Sequence, residues 1–329
     1  MKVLVTGGAG YIGSTVSSAC LDAGHDVVIL DDLSTGRRNF ARALPFYEGD
    51  VADSRLLARV WTEHEIDVVV HCAARIVVPE SISDPLAYYD NNVGRTISFL
   101  RHLITTDTRR VVFSSSASVY DASEDFVVDE HSPVVPQSPY AQTKLMVEQV
   151  LSDVCAGGRL RAVALRYFNP IGSDPLLRTG QQIEQPSHLM GKLLEARDTG
   201  RPFTITGADW PTRDGSGIRD FIHVWDLARA HVAAIERFDS ATSDQPYQVI
   251  NLGTGKGVTV KELVDAFITG TGSNLDVRIG PRRPGDVVGV YTRTDKAHRL
   301  LGWRAELSQA DAVRDAVAWL PRRQTILGY

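Results

Sequence analysis

Thr6-Gly-Gly-Ala-Gly-Tyr-Ile-Gly13 stands directly behind the apolar run Lys2-Val-Leu-Val-Thr6 and directly ahead of a helical pattern. No other stretch restricts the fold as much. Gly8, Gly10 and Gly13 fit G-x-G-x-x-G, and Gly7, Gly10 and Gly13 fit G-x-x-G-x-x-G as well. Between a strand and a helix, such glycines let backbone amides approach a pyrophosphate and let the helix pack closely on the strand. The helix N-terminus then faces the phosphate charge. Asp31 closes the next apolar run, at roughly the 20-residue offset expected of a carboxylate on the adenine ribose. A carboxylate there accepts the 2′-hydroxyl and repels a 2′-phosphate, so NAD is expected rather than NADP. Arg37 and Arg38, close behind, work against that preference.

The glycine turn begins a longer alternation. Apolar runs at Val3–Thr6, Val27–Leu30, Val68–His71, Val111–Ser114 and Ala162–Tyr167 lack polar alternation, as strands covered on both faces do. Helical patterns fall between them near Tyr11–Ala23, Arg55–Glu63, Pro85–Leu103 and Pro139–Asp153. The expected fold is α/β, a doubly wound parallel sheet of Rossmann type, with ligands at the carboxyl ends of the strands. Beyond Pro170 the pattern loosens. Pro170–Pro186 and Ala208–Gly217 read as loops, and helices follow near Leu189–Arg197, Val224–Arg237, Val260–Ile268 and Ala310–Leu320. Thr259 and Glu262 make a capping-box start for the third of these. Residues 1–170 are expected to form the dinucleotide domain and 171–329 mainly a smaller, interwoven substrate lobe. Residues near 217–255 are expected to return to the first domain.

Composition removes other classes of function. The net charge of -5 offers no basic footprint for nucleic acid, and arginine, which far outnumbers lysine among the 35 basic residues, is scattered. Three cysteines, Cys20, Cys72 and Cys155, with no CxxC pair, argue against a disulfide framework or a zinc site. No apolar run reads as a signal peptide or membrane span, so a cytoplasmic protein is expected.

Tyr140-Ala-Gln-Thr-Lys144 puts a tyrosine and a lysine on one helical face. Alone, that spacing is a common solvated face. Here it follows the glycine turn, four strands and Phe113-Ser-Ser-Ser-Ala-Ser-Val-Tyr120, which brings hydroxyls to a strand's carboxyl end. A free tyrosine has a pKa of about 10, so only about one in a thousand is phenolate at pH 7. A cationic Lys144 beside it favours the phenolate, and Ser116 is placed to share a substrate oxygen. The set suits taking a proton from a hydroxyl while its carbon gives up hydride.

At this level of detail the chain resembles the UDP-galactose 4-epimerase family of extended short-chain dehydrogenases. The resemblance rests on TGGAGYIG from Thr6, FSSSASVY from Phe113, SPYAQTK from Ser138, LRYFNPIG from Leu165, GIRDFIHVWDLA from Gly217 and RRPGD from Arg282. It implies Tyr140 as base, Ser116 as its partner and Lys144 as the group that tunes the tyrosine and holds the nicotinamide ribose. It implies an NAD site of Gly7, Gly10, Tyr11, Ile12, Gly13, Asp31 and Asp32, the adenine turn Asp50 and Val51, and Cys72, Ala73, Ala74, Asn91, Tyr140, Lys144 and Tyr167. For a UDP-sugar it implies Ser116, Ser118, Tyr140, Asn169, Leu189, the diphosphate-binding Arg219 and Arg283, and Asp286 at the uridine ribose. The implied reaction oxidises C4 to a ketone, turns the sugar and returns the hydride to its other face. A homodimer, with no nucleic-acid or membrane partner, is also implied.

The departures bear on the sugar. Where hexose enzymes of the family typically read HFAGLKAVGES, this chain has His71-Cys-Ala-Ala-Arg-Ile-Val-Val-Pro-Glu-Ser81, with Ile76 at the lysine position and Arg75 before it. Arg178 lies in the loop after LRYFNPIG, His188 replaces an asparagine, Thr206 an aromatic, and Val290 stands at the position that gates sugar bulk. Arg75 or Arg178 reading a C6 carboxylate would make the substrate UDP-glucuronate instead of UDP-glucose; both substrates remain open on these residues. A 4,6-dehydratase would carry an Asp-Glu pair after the catalytic hydroxyl, where this chain has Ala117 and Ser118. A non-catalytic NAD-binding module would tend to lose Tyr140 or Lys144.

Overall fold

The computed structural model describes residues 1–121, 125–282 and 287–328. Seven parallel strands form the central sheet: β1 (Lys2–Thr6), β2 (Asp26–Asp31), β3 (Phe46–Glu48), β4 (Val68–His71), β5 (Arg110–Ser114), β6 (Arg161–Tyr167) and β7 (Tyr247–Leu252). Their spatial order is β7-β6-β5-β4-β1-β2-β3. The order reverses between β1 and β4, and a crevice opens at the carboxyl ends there.

Alternate residues of each strand feed opposite cores. Val3, Val5, Ile29, Val70 and Leu165 pack with Val16, Leu227 and Ile235 from helices α1 (Tyr11–Asp22) and α6 (Val224–Glu236). Leu4, Leu30, Val69 and Phe113 pack with Leu57, Phe99 and Leu151 from α2 (Ser54–Glu63), α3 (Arg95–Leu103) and α4 (Pro139–Ala156). A third cluster, with Met190, Leu193, Phe203, Phe221, Leu263, Phe267 and Val313, unites α5 (Leu189–Thr199), α7 (Val260–Thr271) and α8 (Gln309–Leu327). The Thr259–Glu262 capping box at the start of α7 is present in both directions.

Two of the departures from the sequence reading bear on the site, whereas β3 and the helices Val78–Ser83 and Asp295–Leu301 simply add to it. The helix expected over Pro85–Leu103 is broken by a π-helical turn at Tyr89–Gly94. Asn91, Asn92 and Gly94 are weak helix formers, and the wide turn drives the Asn92 amide inward. There it accepts from the Arg75 amide (2.8 Å) and donates to the Arg75 carbonyl (3.0 Å) and to Thr143 Oγ1 (3.0 Å). Strand β7 is the second departure. Gln248 and Asn251 interrupt its apolar run, yet it pairs with β6 from Tyr247 to Leu252. The remaining strands are two-stranded patches joining distant segments, such as Asn169–Ile171 with Phe221–His223.

Candidate active site

A cavity of about 320 Å³ lies at the β1/β4 crevice. Gly7, Gly10, Tyr11, Ile12 and Gly13 form its floor, Asp31, Asp32, Asp50 and Val51 one end, and Cys72, Ala73, Ala74, Asn91, Lys144 and Tyr167 the rest. Tyr140 stands beside Lys144, whose Nζ is 5.9 Å from the tyrosine ring centre. The glycines are required by contact and not only by turn shape. Gly7 has φ +68°, and a Cβ on it would lie 2.7 Å from the Ala73 amide nitrogen. A Cβ on Gly13 would lie 2.2 Å from the Gly7 carbonyl oxygen. Gly10 caps α1, so that helix begins at the cavity and offers its amides and dipole to an anion. This bare-backbone cradle fits the pyrophosphate of NAD.

Asp31 is buried at the carboxyl end of β2 and accepts from the amides of Ala9 (2.9 Å) and Leu33 (2.8 Å). Burial raises its pKa, and the two amides pull it back down. Arg38 is drawn off onto the Phe46 ring, 4.1 Å from its centre, and Arg37 donates to the Gly36 carbonyl at 3.3 Å. The Asp31 carboxylate therefore lines that end of the cavity, where an acid favours NAD over NADP.

Sequence reasoning missed the far wall. Thr35, Glu80, Arg95, Gln181, Gln182 and Ile183 also line the cavity. The Pro170–Pro186 loop folds back over it, held where Gln182 Nε2 donates to the Thr35 carbonyl (3.1 Å) and Trp319 Nε1 to the Gln181 carbonyl (2.9 Å). These contacts span 147 and 138 residues, and no local pattern announces them.

Helix α4 starts where Ser138 accepts from the Ala141 amide (3.2 Å) with Pro139 in its first turn, which sets Tyr140 and Lys144 in the opening turns. Lys144 Nζ donates to the Ser114 carbonyl at 2.8 Å, tying the helix to the end of β5. Ser116 sits just past that strand and accepts from the Ser118 amide at 3.2 Å. Burial raises the Tyr140 pKa, and its hydrogen bond with Ser116 opposes the rise. Burial also lowers Lys144 to about 8, against upward pushes from Cys72 and Glu148. Burial thus sets the direction at Tyr140, and the Ser116 hydrogen bond is what opposes it in the protein alone.

The substrate-side residues are more dispersed. Ser118 Oγ is buried with no hydrogen-bond partner among the described residues. Asn169 is exposed at the start of its short strand, and Leu189 opens α5 behind His188, which caps Gly191 N at 3.2 Å. Thr206 ends the strand Phe203–Thr206, opposite Gly280. Arg219 donates to the carbonyls of Ile218 (2.7 Å), Val288 (2.7 Å) and Val287 (3.1 Å). Val290 packs with Ala117, Val119 and Phe168, against the segment that carries Ser116. Arg283 and Asp286 lie outside the described residues.

Arg178 requires a correction. It does not border the cavity: its guanidinium forks onto Asp22 at the end of α1 (2.6 and 2.8 Å), bonds Asp174, and lies over the Trp225 ring. Asp22 and Asp174 satisfy its guanidinium, which argues against its reading a sugar acid. Arg75 does line the cavity, with Glu80 3.5 Å from it. Among the described residues no group of three His, Cys, Asp or Glu could hold a metal, and no helix is long and apolar enough to cross a membrane.

Residues 3–253 match the model of the NAD dependent epimerase/dehydratase family. The chain is 43% identical over 321 residues to a UDP-glucose 4-epimerase of Azospirillum brasilense, covering 97% of this chain and 91% of that one. A UDP-glucose-4-epimerase structure from Stenotrophomonas maltophila, with bound NAD and formylated UDP-arabinopyranose, superposes with a TM-score of 0.94 at 38% identity over 99% of each chain. One from Bifidobacterium longum, in complex with NAD+ and UDP, gives 0.91 at 35% identity over 98% of each. With its glycine cradle, acidic ribose end and Tyr-Lys-Ser cluster, the chain belongs to the NAD dependent epimerase/dehydratase family.

Proposed function

We propose that this enzyme is an NAD-dependent UDP-sugar 4-epimerase acting on UDP-glucose and UDP-galactose. The observation that carries the reading is Lys144, which lines the cavity together with the glycine cradle, beside Tyr140, which is hydrogen-bonded to Ser116. NAD, which the glycine cradle and Asp31 would hold, would supply a hydride acceptor and donor for C4 and, when oxidised, a positively charged ring. The chain's own residues handle the proton. Tyr140 Oη takes it from the 4-hydroxyl, Ser116 Oγ shares the 4-oxygen and orients it, and the Lys144 ammonium stabilises the phenolate while it lasts. After the sugar has turned, Tyr140 returns the proton. Asn169, Ser118, Leu189, Arg219, Arg283 and Asp286 hold the UDP-sugar in this reading, the two arginines through guanidinium forks on the diphosphate. Ala117 and Ser118, which follow Ser116, supply no acid–base pair for a dehydratase's elimination.

In the same reading residues 1–170 bind NAD and 171–329 mainly bind the UDP-sugar, with β7 and α6 returned to the first domain. Ile82, Leu86 and Met146, exposed on neighbouring helices, support a homodimer through that face. The free thiols of Cys20, Cys72 and Cys155 support a reducing, cytoplasmic setting.

The test is incubation of the purified protein, without added NAD, with UDP-glucose and separately with UDP-glucuronate, following C4 by proton NMR. Inversion of UDP-glucose is expected. Inversion of UDP-glucuronate alone overturns the hexose assignment, and failure with both after NAD is supplied overturns the epimerase.

A further inference from the structure

Beneath the catalytic cluster lies a buried polar network that the proton transfer does not itself use. Glu148 follows Lys144 by one helical turn on α4, and Arg166 faces it from β6; both are buried. Arg166 Nε donates to Glu148 at 2.9 Å and its terminal nitrogen at 2.5 Å, while its other terminal nitrogen donates to Tyr120 Oη at 2.9 Å. Ser115 Oγ also donates to Glu148. Tyr120 Oη donates to Asn251 Oδ1 (2.8 Å), and Asn251 Nδ2 to Thr292 Oγ1 (3.0 Å). Ser115 and Tyr120 bracket Ser116. The pair thus grips the hydroxyl-bearing segment on both sides and fixes it to the helix that carries Tyr140 and Lys144.

We propose that Glu148 and Arg166 are positioning residues for C4 epimerisation, holding Ser116 in register with Tyr140. The proposal rests on the epimerase reading above. A buried ion pair is weak evidence for stability, and setting geometry is its best-attested use. Displacing a reacting group by about 1 Å costs roughly 100-fold in rate. Glu148 also adds its negative charge near the Lys144 ammonium, which His71 and Cys72 face from the end of β4 and Tyr140 from the same helix.

Glu148→Gln keeps an acceptor for Ser115 and removes the charge. It should lower kcat roughly 10- to 100-fold with little change in KM or bound NAD. It should also shift the alkaline limb of the kcat–pH profile to lower pH, because Lys144 loses a group that favours its protonated form. Tyr120→Phe, which cuts only the Arg166–Tyr120–Asn251 link and preserves volume, should lower kcat less and leave the pH limb in place. Arg166→Lys should recover part of the activity lost in Arg166→Met. Wild-type kcat and pH limb in Glu148→Gln would overturn the proposal, as would a fall in kcat no larger than its loss of bound NAD. NMR titration of labelled Lys144 reads the electrostatic part without turnover. A Lys144 pKa unchanged in Glu148→Gln counts against the proposal even where the wild type inverts no UDP-sugar, an outcome that would separately reject the epimerase reading.

Discussion

The two halves of the molecule place functional groups by different means. In the dinucleotide half, most groups sit at the carboxyl end of a strand or in the opening turns of a helix. Gly7 follows β1, Asp31 ends β2, Cys72 follows β4 and Ser116 follows β5. The parallel sheet brings them together because every strand points the same way. On the substrate side, Asn169, Arg219 and Thr206 lie on strands of two to four residues paired with segments far away in sequence. Precision in the first half is therefore a property of local motifs, whereas in the second it depends on long-range contacts such as the Arg178 fork. The contrast implies that changes in the first half disturb chemistry and changes in the second disturb folding.

Tyr140→Phe is the sharpest test of the first part. It deletes the proposed proton acceptor but keeps the buried ring. Inversion of UDP-glucose should fall by about 10²- to 10⁴-fold, the range of a general base, with bound NAD retained by absorbance. Full turnover in this variant would reject Tyr140 as the base.

Arg178→Ala tests the second part. Its removal leaves Asp174, fully buried, without the guanidinium that compensates it. Breaking a buried pair from one side costs about 3–5 kcal/mol, and since Arg178 is partly exposed and Asp22 more so, roughly 3 kcal/mol is expected. Denaturant unfolding should register that loss while kcat per folded molecule stays near wild type. A selective loss of activity on UDP-glucuronate would restore the substrate role that its position in the fold argues against.

The same division explains what the sequence disclosed. Val3–Thr6, Val68–His71 and the glycine turn are contiguous, with strands covered on both faces and a helix that starts at its cap, so local chemistry was enough to read them. Strand β7 was not read because buried Gln248 and Asn251 break its pattern, and Asn251 is polar because it serves the network under the active site. The π turn at Tyr89–Gly94 was hidden for a like reason, since Asn92 is chosen for its bonds to Arg75 and Thr143. Gln181 and Gln182 sit in a polar loop that only the fold carries to the cofactor cavity. Arg178 was misread because its sequence neighbourhood borders the sugar in the family, while its partner Asp22 lies 156 residues away.

Lys144 joins the two parts of the contrast, since burial makes a catalytic residue costly to the fold. Its folded pKa is depressed to about 8 from 10.5. Its contribution to stability is therefore fully present above pH 10.5 and is lost as pH falls through about 8. At pH 7 the folded apoprotein holds a desolvated ammonium at a net cost of about 3 kcal/mol, while removing the lysine would take from the Ser114 carbonyl its donor. Lys144→Met should abolish turnover yet stabilise the apoprotein at pH 7 by roughly 1–2 kcal/mol, a trade of stability for function. Urea titrations at pH 7 and pH 10.5 check the sign: the variant's advantage should shrink at the higher pH. A variant less stable than wild type at both would mean that the packing of the lysine stem outweighs its charge.

Arg75 carries the smallest expected effect and bears most closely on the substrate. It lines the cavity, its backbone pinned by Asn92 and its side chain about half exposed beside Glu80. An exposed pair at 3.5 Å contributes roughly 0–1 kcal/mol, so Arg75→Leu should change stability within that range. On the hexose reading, kcat/KM for UDP-glucose should change less than about tenfold, equivalent to 1.4 kcal/mol. UDP-glucuronate should remain a poor substrate for wild type and variant alike. The informative comparison is the ratio of the two substrates' kcat/KM values before and after substitution. A ratio that collapses in Arg75→Leu because UDP-glucuronate turnover disappears would show a guanidinium reading a C6 carboxylate, for which a bidentate partner discriminates far more strongly than an apolar contact does. A constant ratio leaves Arg75 holding Glu80 at the rim of the cavity, with its backbone, fixed by the π turn, as the part that matters.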